Sequence, residues 1–281
     1  MKPLSRNRFL HFMTYVFLTA IAAFTALPLI YTVNTAFKPM SELFLFPPRF
    51  FVRNPTTLNM ENLFSTIDSQ TVPFTRFVAN SVVTSFLTVL LTVVVCSMGA
   101  YAVAKLKPRG SGAVSTIIIA ALMFSPHVTM IPTYMVVDSL KLVDTQWALV
   151  ITRVAVAYNF FLMQQFIRQI PNELIESARM DGANEMRLFW RIVMPNLKPA
   201  WATLVVLTFI SSWNDFFTPL IYLSSQQKKT LPVVLQSLGA TLASSGMVAA
   251  AAFLMILPPI AIYIFMQRKV IETMVHSGIK G

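Results

Sequence analysis

Apolar residues gather into six long runs: Phe12–Phe37, Val78–Ala104, Ala113–Val136, Trp147–Ile167, Ala200–Leu223 and Met247–Met266. A helix needs about 20 apolar residues to cross the hydrocarbon of a bilayer, and each run supplies them. Lipid offers no water to an open backbone, so these runs must close their hydrogen bonds within helices. None shows the alternation of a membrane β-strand. The pattern predicts an all-α membrane protein with six transmembrane helices.

Polar positions and prolines punctuate this pattern. The connection Lys38–Phe77 carries Pro39, Pro47, Pro48, Pro55 and Pro73, which predicts an irregular, braced surface segment rather than a further helix. Span three holds Pro126 and Pro132, so it should kink or break near its centre. A packing kink and a hinge of the pathway both fit. Arg153 and Asp215 fall at membrane depth, where ionisable groups face the bundle interior or a cavity. Asp215 lies in Ser211-Ser-Trp-Asn-Asp-Phe-Phe-Thr-Pro-Leu220, which reads as a bent helix. Together with Asn159, Trp213 and Asn214, these residues are candidates for a translocation pathway or a subunit interface. Gln164 and Gln165 lie near the end of span four and call for no special role.

Composition supports the membrane class: 56% of residues are hydrophobic and 12% charged, about half the charged fraction of a soluble domain. The basic start resembles a signal peptide, but its apolar run continues to about Val33, beyond the 7–15 residues of a signal core. An uncleaved first span is expected. Cys96, the single cysteine, forms no disulfide framework, and the sequence has no Cys/His metal cluster. The net charge of +11 follows a topological pattern. Fourteen Lys and Arg flank one side of the spans and seven the other, with Arg153 inside. The positive-inside rule then places both termini and the segment after span four in the cytoplasm, and nucleic acid is not needed to explain the charge.

That segment, between Ile167 and Ala200, has its own order. Pro171-Asn172 reads as a helix start. Leu174, Ile175 and Ala178 share one face. Gly182 suits the left-handed position that ends a helix. Asn184 can cap a second helix with Met186, Phe189, Trp190 and Val193 on one stripe, and Pro195 breaks the chain before span five. Five basic residues stand against Glu173, Glu176, Asp181 and Glu185, too balanced for a helix lying on anionic headgroups. Docking of a soluble protein is the better reading. Glu176, Ala178, Asp181, Gly182, Ile192 and Pro195 are the candidate contact and framing residues.

The spacing Glu176-Ser-Ala178, three residues, Gly182, nine residues, Ile192-Val-Met-Pro195 resembles the signature of permease subunits of ATP-binding-cassette importers, with Ser177 and Met194 as departures. Ile170-Pro-Asn-Glu-Leu174, Trp213–Leu220, Thr230-Leu-Pro232 and Gly278-Ile-Lys-Gly281 are similar to the carbohydrate branch, in particular the second permease of maltose-type systems. The resemblance implies a type I ABC importer permease fold in the cytoplasmic membrane of a prokaryote. It divides the chain into 1–77 (tail, first span and Pro-rich external loop), a five-helix core over 78–267 with coupling helices at about 172–194, and a tail over 268–281. Implied partners are a homologous second permease, a cytoplasmic ATPase dimer and an extracytoplasmic substrate-binding protein, besides membrane lipid. In this family the loop Ser224–Gly246 can contact the sugar in the binding protein, and the tail Arg268–Gly281 can reach the ATPase. No Gly-x-x-x-x-Gly-Lys-Ser/Thr run is present, so ATP and Mg are expected on the ATPase, with no cofactor, catalytic residue or metal in this chain. The alternative is a membrane-embedded enzyme or a stand-alone secondary transporter using Asp215 and Arg153.

Overall fold

The computed structural model describes residues 4–68, 72–154, 156–239 and 245–278. Helices account for the regular structure, and no strand occurs among the described residues. Three helical stretches are each long and apolar enough to span a membrane: Leu10–Ala36, Phe74–Leu106 and Ser245–Val270. Bent pairs of shorter helices raise the number of spans to as many as six. The chain separates into two compact units, one formed by 1–71 and 237–256, the other by 72–236 and 257–281.

The first unit begins with α1 (Leu4–Ala36). The proline-rich segment after it is held by polar contacts. The ammonium of Lys38 donates to the Arg49 carbonyl. The Glu42 carboxylate, within the one-turn helix α2 (Met40–Leu43), accepts from the amides of Arg53 (3.1 Å) and Asn54 (3.0 Å). The Arg53 amide, more than any other group, holds the Glu42 carboxyl below its ordinary range. One expectation needs correcting: residues of this loop form a true helix, α3 (Leu58–Asp68). The reason is local, since four of the prolines precede it, Pro73 follows it, and the stretch between is free of them.

Asn59 of α3 donates to the carbonyls of Ala36 (2.9 Å) and Lys38 (2.7 Å) and so fastens α3 to the end of α1. Gly246 leaves room for that amide: a Cβ there would stand 2.5 Å from Asn59 Oδ1. Gly246→Ala must therefore displace a buried side chain from two carbonyls, and unpaired buried groups cost about 1–3 kcal/mol each. Thermal unfolding in detergent should show a drop of at least several degrees, partly relieved when Asn59 is also truncated to Ala.

The second unit is built around α4 (Phe74–Tyr101), which ends in a π-turn over Ala102–Leu106. Ser81, Ser85, Thr88, Thr92, Cys96 and Ala100 form a buried stripe of small residues along it. Such residues let helices approach closely where lipid gives no hydrophobic drive. Gly99 illustrates the tightness, for a Cβ there would lie 2.8 Å from the Phe160 ring.

Span three is two helices, α5 (Ser111–Ala121) and α6 (Pro126–Ser139), meeting at 118°. Pro126 opens α6, where its missing N–H is no loss. Pro132 lies inside α6 without ending it. Its steric conflict is with the carbonyl one turn back, that of Val128, which sits in the first turn and has freedom to give. Span four is also divided, into α7 (Gln146–Val154) and α8 (Ala157–Gln169). Then follow α9 (Asn172–Met180), α10 (Glu185–Leu188) with a π-turn over Phe189–Val193, and α11 (Met194–Asn196). Next, α12 (Lys198–Trp213) leaves the preceding stretch at 78°. The short α13 (Phe217–Tyr222) completes the fifth run, and α14 (Leu231–Gly239) and α15 (Ser245–Gly278) close the chain.

Parts of two sequence expectations lie outside the described residues: positions 240–244 of the loop Ser224–Gly246 and positions 279–281 of the terminal segment. The N-terminal residues 1–3, with Lys2, lie outside them too.

Candidate functional site

The segment from Pro171 to Asn196 folds as two short helices joined by a sharp turn. Pro171, not Asn172, is the N-cap of α9. The Asn172 side chain instead accepts a hydrogen bond from Lys105 Nζ at 2.8 Å, which takes the oxygen a cap would use. At the other end, the Gly182 amide donates to Arg179 O and the Ala183 amide to Ala178 O, both at 3.0 Å. This pair of bonds is a Schellman ending, with Gly182 at φ +79 in its left-handed position. Asn184 caps α10 as expected, accepting from the Arg187 amide at 2.8 Å.

Ile175, Leu188, Phe189 and Val193 are buried, with Ala178 and Ile192 packed against them. Leu174, Met186 and Trp190 are exposed instead of completing the expected stripes. For Met186 and Trp190 the reason is the π-turn over Phe189–Val193, which shifts the helical period so that residues spaced for one face no longer share it. Glu176, Asp181, Gly182 and Pro195 are exposed. Pro195 falls within α11, and the chain bends two residues later, at Leu197.

One linkage had no sequence signal. Glu185 accepts from Arg179 Nε through Oε1 (3.0 Å) and from the Tyr101 hydroxyl through Oε2 (2.7 Å). It thus ties α9 to the end of α4 through a hydroxyl whose ring is buried. Tyr101 is distant in sequence, and no spacing rule relates it to Glu185.

Deeper in this unit, Arg153 and Asp215 pair. Arg153 donates Nε at 3.0 Å and Nη2 at 2.6 Å to Asp215 Oδ2, and Nη1 to Ser211 Oγ at 3.0 Å. Asp215 Oδ1 accepts from the Thr218 amide at 3.2 Å and starts α13. The break before it has a cause in Pro219, which cannot supply the N–H that would bond the Asp215 carbonyl. The cavity beside the pair, lined also by Ser81, Thr84 and Thr230, is about 10 Å³, room for about one water. Of the other candidates, Trp213 is buried and stacks on Phe209 at 5.7 Å, Asn159 is buried, and Asn214 is exposed. Pro126 and Pro132 lie on α6, and His127 beside them meets the Phe217 ring edge-on at 6.5 Å. Gln164, expected to have no role, is buried and donates to Ser115 Oγ at 2.9 Å. No group of His, Cys, Asp and Glu among the described residues could hold a metal ion.

Elsewhere in this unit, Asp144 organises the loop 224–230. Its carboxylate accepts from the amides of Ser224 (3.1 Å) and Ser225 (2.9 Å), the Ser225 hydroxyl (2.6 Å) and Lys228 Nζ (2.9 Å). Asn80 adds bonds to the carbonyls of Gln227 and Lys229, each 2.9 Å, and Gln146 to that of Lys228 at 2.8 Å. Lys228 first, and Ser225 after it, hold the Asp144 carboxyl far below the usual carboxylate range. A depressed pKa contributes stability above the unfolded value of about 3.9, lost only as pH falls through the folded one. Asp144→Asn should therefore lower the melting temperature by the same amount at about pH 5 and about pH 8. Thermal melts at both pH values test this; a loss confined to the higher pH would contradict it.

Comparison with known proteins gives this geometry its setting. The family described as binding-protein-dependent transport system inner membrane component matches residues 94–270, which include α9, α10, Arg153 and Asp215. Protein LplC of Bacillus subtilis is 32% identical, over 95% of this chain and 93% of its own length. The arabinooligosaccharides transport system permease protein AraQ of Halalkalibacterium halodurans is 29% identical over 95% and 94%. Among solved structures, a bacterial ABC transporter involved in the import of the acidic polysaccharide alginate has a chain that superposes with TM-score 0.77. That chain is 25% identical, and the match covers 94% of this chain and 97% of that one. By the extent of these matches, the chain belongs to the binding-protein-dependent transport system inner membrane component family and is an integral-membrane permease subunit of an ATP-binding-cassette importer.

Proposed function

We propose that this permease carries an oligosaccharide or sugar derivative across the cytoplasmic membrane of a prokaryote, driven by a separate ATPase that docks on α9 and the turn at Gly182. The observation that carries the docking assignment is the exposed edge made by Glu176, Asp181 and Gly182 on a segment whose opposite face is buried. The Glu176 carboxylate is exposed and makes no ion pair among the described residues. A basic group on the ATPase is its natural partner. The Arg179–Glu185–Tyr101 linkage would carry a displacement of α9 to α4. ATP and Mg belong to the ATPase dimer, and a second, homologous permease and an extracytoplasmic binding protein complete the importer. Both termini and the α9–α10 segment face the cytoplasm, in keeping with the distribution of Lys and Arg.

The saccharide class draws support from relatives named for arabinooligosaccharides and for alginate, one a neutral and one an acidic carbohydrate. An enzyme or lone carrier built on Asp215 gains no support from its geometry, since that carboxylate is already engaged by Arg153 and the Thr218 amide. The docking assignment is tested by co-purification. Glu176→Lys should insert in the membrane in normal amount yet retain at most about a tenth of the ATPase, as expected when a fully desolvated charge pair is reversed. Full retention of ATPase and uptake would refute it. The cargo is tested separately, by titrating the binding protein with neutral and acidic oligosaccharides.

A further inference from the structure

The end of α4, the start of α5 and the junction of α8 with α9 enclose an open cavity of about 630 Å³. Its walls carry Lys105, Lys107 and Arg168 against one carboxylate, Glu173. Lys105 is committed to that wall, donating to Ile170 O at 2.5 Å and to Asn172 Oδ1 at 2.8 Å. Lys107 and Arg168 are exposed. Neither has an ion-pair partner among the described residues. Lys107 holds a left-handed φ of 47 directly after the π-turn, and Gly110, at φ 88, begins α5 without a side-chain cap. Ser111 and Gly112, in the first turn of α5, also line the cavity; the Ser111 amide is bonded to the Pro108 carbonyl at 3.0 Å, so this helix end adds only its dipole to the attraction for an anion.

We propose that this cavity binds a phosphate-bearing anion, which the membrane supplies as the headgroup of an anionic phospholipid. Three observations converge. The cavity has the size of a small-molecule site. Its cations outnumber its carboxylates by three to one. It also lies at headgroup depth, because the long span that contains α4 ends at Leu106, between Lys105 and Lys107. Basic pockets between spans on the cytoplasmic side favour such headgroups. The topological excess of positive charge requires cations near the membrane, but it does not require them to line a concave wall. Pro171, Asn172 and Glu173 belong to that wall and to the start of α9. A bound headgroup would therefore brace α9 against α4 and α5. This last consequence rests on the ATPase-docking reading above, whereas binding of the anion does not.

The test uses the assembled transporter in nanodiscs of phosphatidylcholine with and without phosphatidylglycerol, with retained lipids counted by native mass spectrometry. The wild-type complex should hold phosphatidylglycerol in preference to phosphatidylcholine. The double variant Lys107→Gln/Arg168→Gln should weaken that binding about thirtyfold, at about fivefold for each charge. Lys107→Arg/Arg168→Lys, which keeps both charges, should retain it and serves as the folding control. A second arm adds inorganic phosphate. Displacement of the lipid by millimolar phosphate assigns the site to a soluble phosphate, and persistence of the lipid assigns it to the headgroup; either upholds the site. Equal retention by wild type and the Gln variant overturns the proposal, as do indifference to headgroup charge and capture of a protein by a photo-cross-linker at position 107. The lipid count is independent of Glu176, so failure of the docking assignment would leave this result unchanged.

Discussion

Replacing Asp215 by Ala should destabilise the permease by about 3 kcal/mol, the lower end of what is lost when one partner is removed from a buried ion pair. The lower end applies because the Arg153 side chain remains 25% exposed while that of Asp215 is 9% exposed. Three donors are orphaned by the change: the two Arg153 nitrogens and the Thr218 amide. Asp215→Asn should fall between, since a neutral oxygen can still accept from Thr218. Arg153→Met combined with Asp215→Leu should restore most of the loss, because an apolar pair of similar volume avoids the burial of charge. The double-mutant cycle, read from unfolding in detergent, should return a coupling of at least about 1 kcal/mol. Transport by the double variant separates two roles for the pair. The two groups are engaged with each other, and the cavity beside them holds about one water. A clasp that keeps uptake near normal is therefore the expected result; loss of uptake in a complex that still assembles would make the pair part of the pathway.

How much of this was readable in the sequence depends on the range of the physics involved. The Gly182 turn and the Asn184 cap are set by neighbours within a few residues and appear where the pattern puts them; of the six apolar runs, the first, second and sixth are single membrane-length helices and the other three are divided. The break at Pro126 follows the same logic. The division between Val154 and Ala157 does not, since no proline or glycine marks it. Val156 is extended there, and Arg153, just before the break, is held by Asp215, 62 positions away in the chain. Tyr101 and Glu185 are 84 residues apart, and Asp144 and Lys228 are also 84 apart. Such pairs are invisible to any local rule, although Asp144 does have a trait that could be suspected, being of a residue type that tolerates the left-handed φ of 58 it adopts. The stripe through Met186 and Trp190 breaks up because a π-turn changes the repeat, and a sequence seldom announces a π-turn. The role proposed for the α9–α10 edge rests on the spacing from Glu176 to Pro195, a family pattern rather than a consequence of propensity.

Substitutions at Gly182 should part backbone strain from docking. An added Cβ meets nothing within 4 Å, so space inside the chain is not the constraint. The backbone is, because at φ +79 an L-residue bears a penalty of about 1–2 kcal/mol. Gly182→Ala should therefore lower thermal stability slightly, leave the two Schellman bonds from the amides of Gly182 and Ala183 recoverable, and retain most of the ATPase. Gly182→Asn should do better than Ala, since Asn accepts the left-handed conformation more readily. Gly182→Arg has nearly the same backbone cost as Ala but projects a long cation from the exposed edge that carries Glu176 and Asp181. If the ATPase seats its surface against this turn, that variant should lose essentially all ATPase association and uptake, with membrane insertion and melting temperature close to those of Gly182→Ala. The order Gly, Asn, Ala in stability, set against an abrupt loss of binding at Arg alone, is the signature of an interface. A smooth decline of binding in step with melting temperature across all four residues would mean that Gly182 serves only the turn, and that the ATPase docks elsewhere.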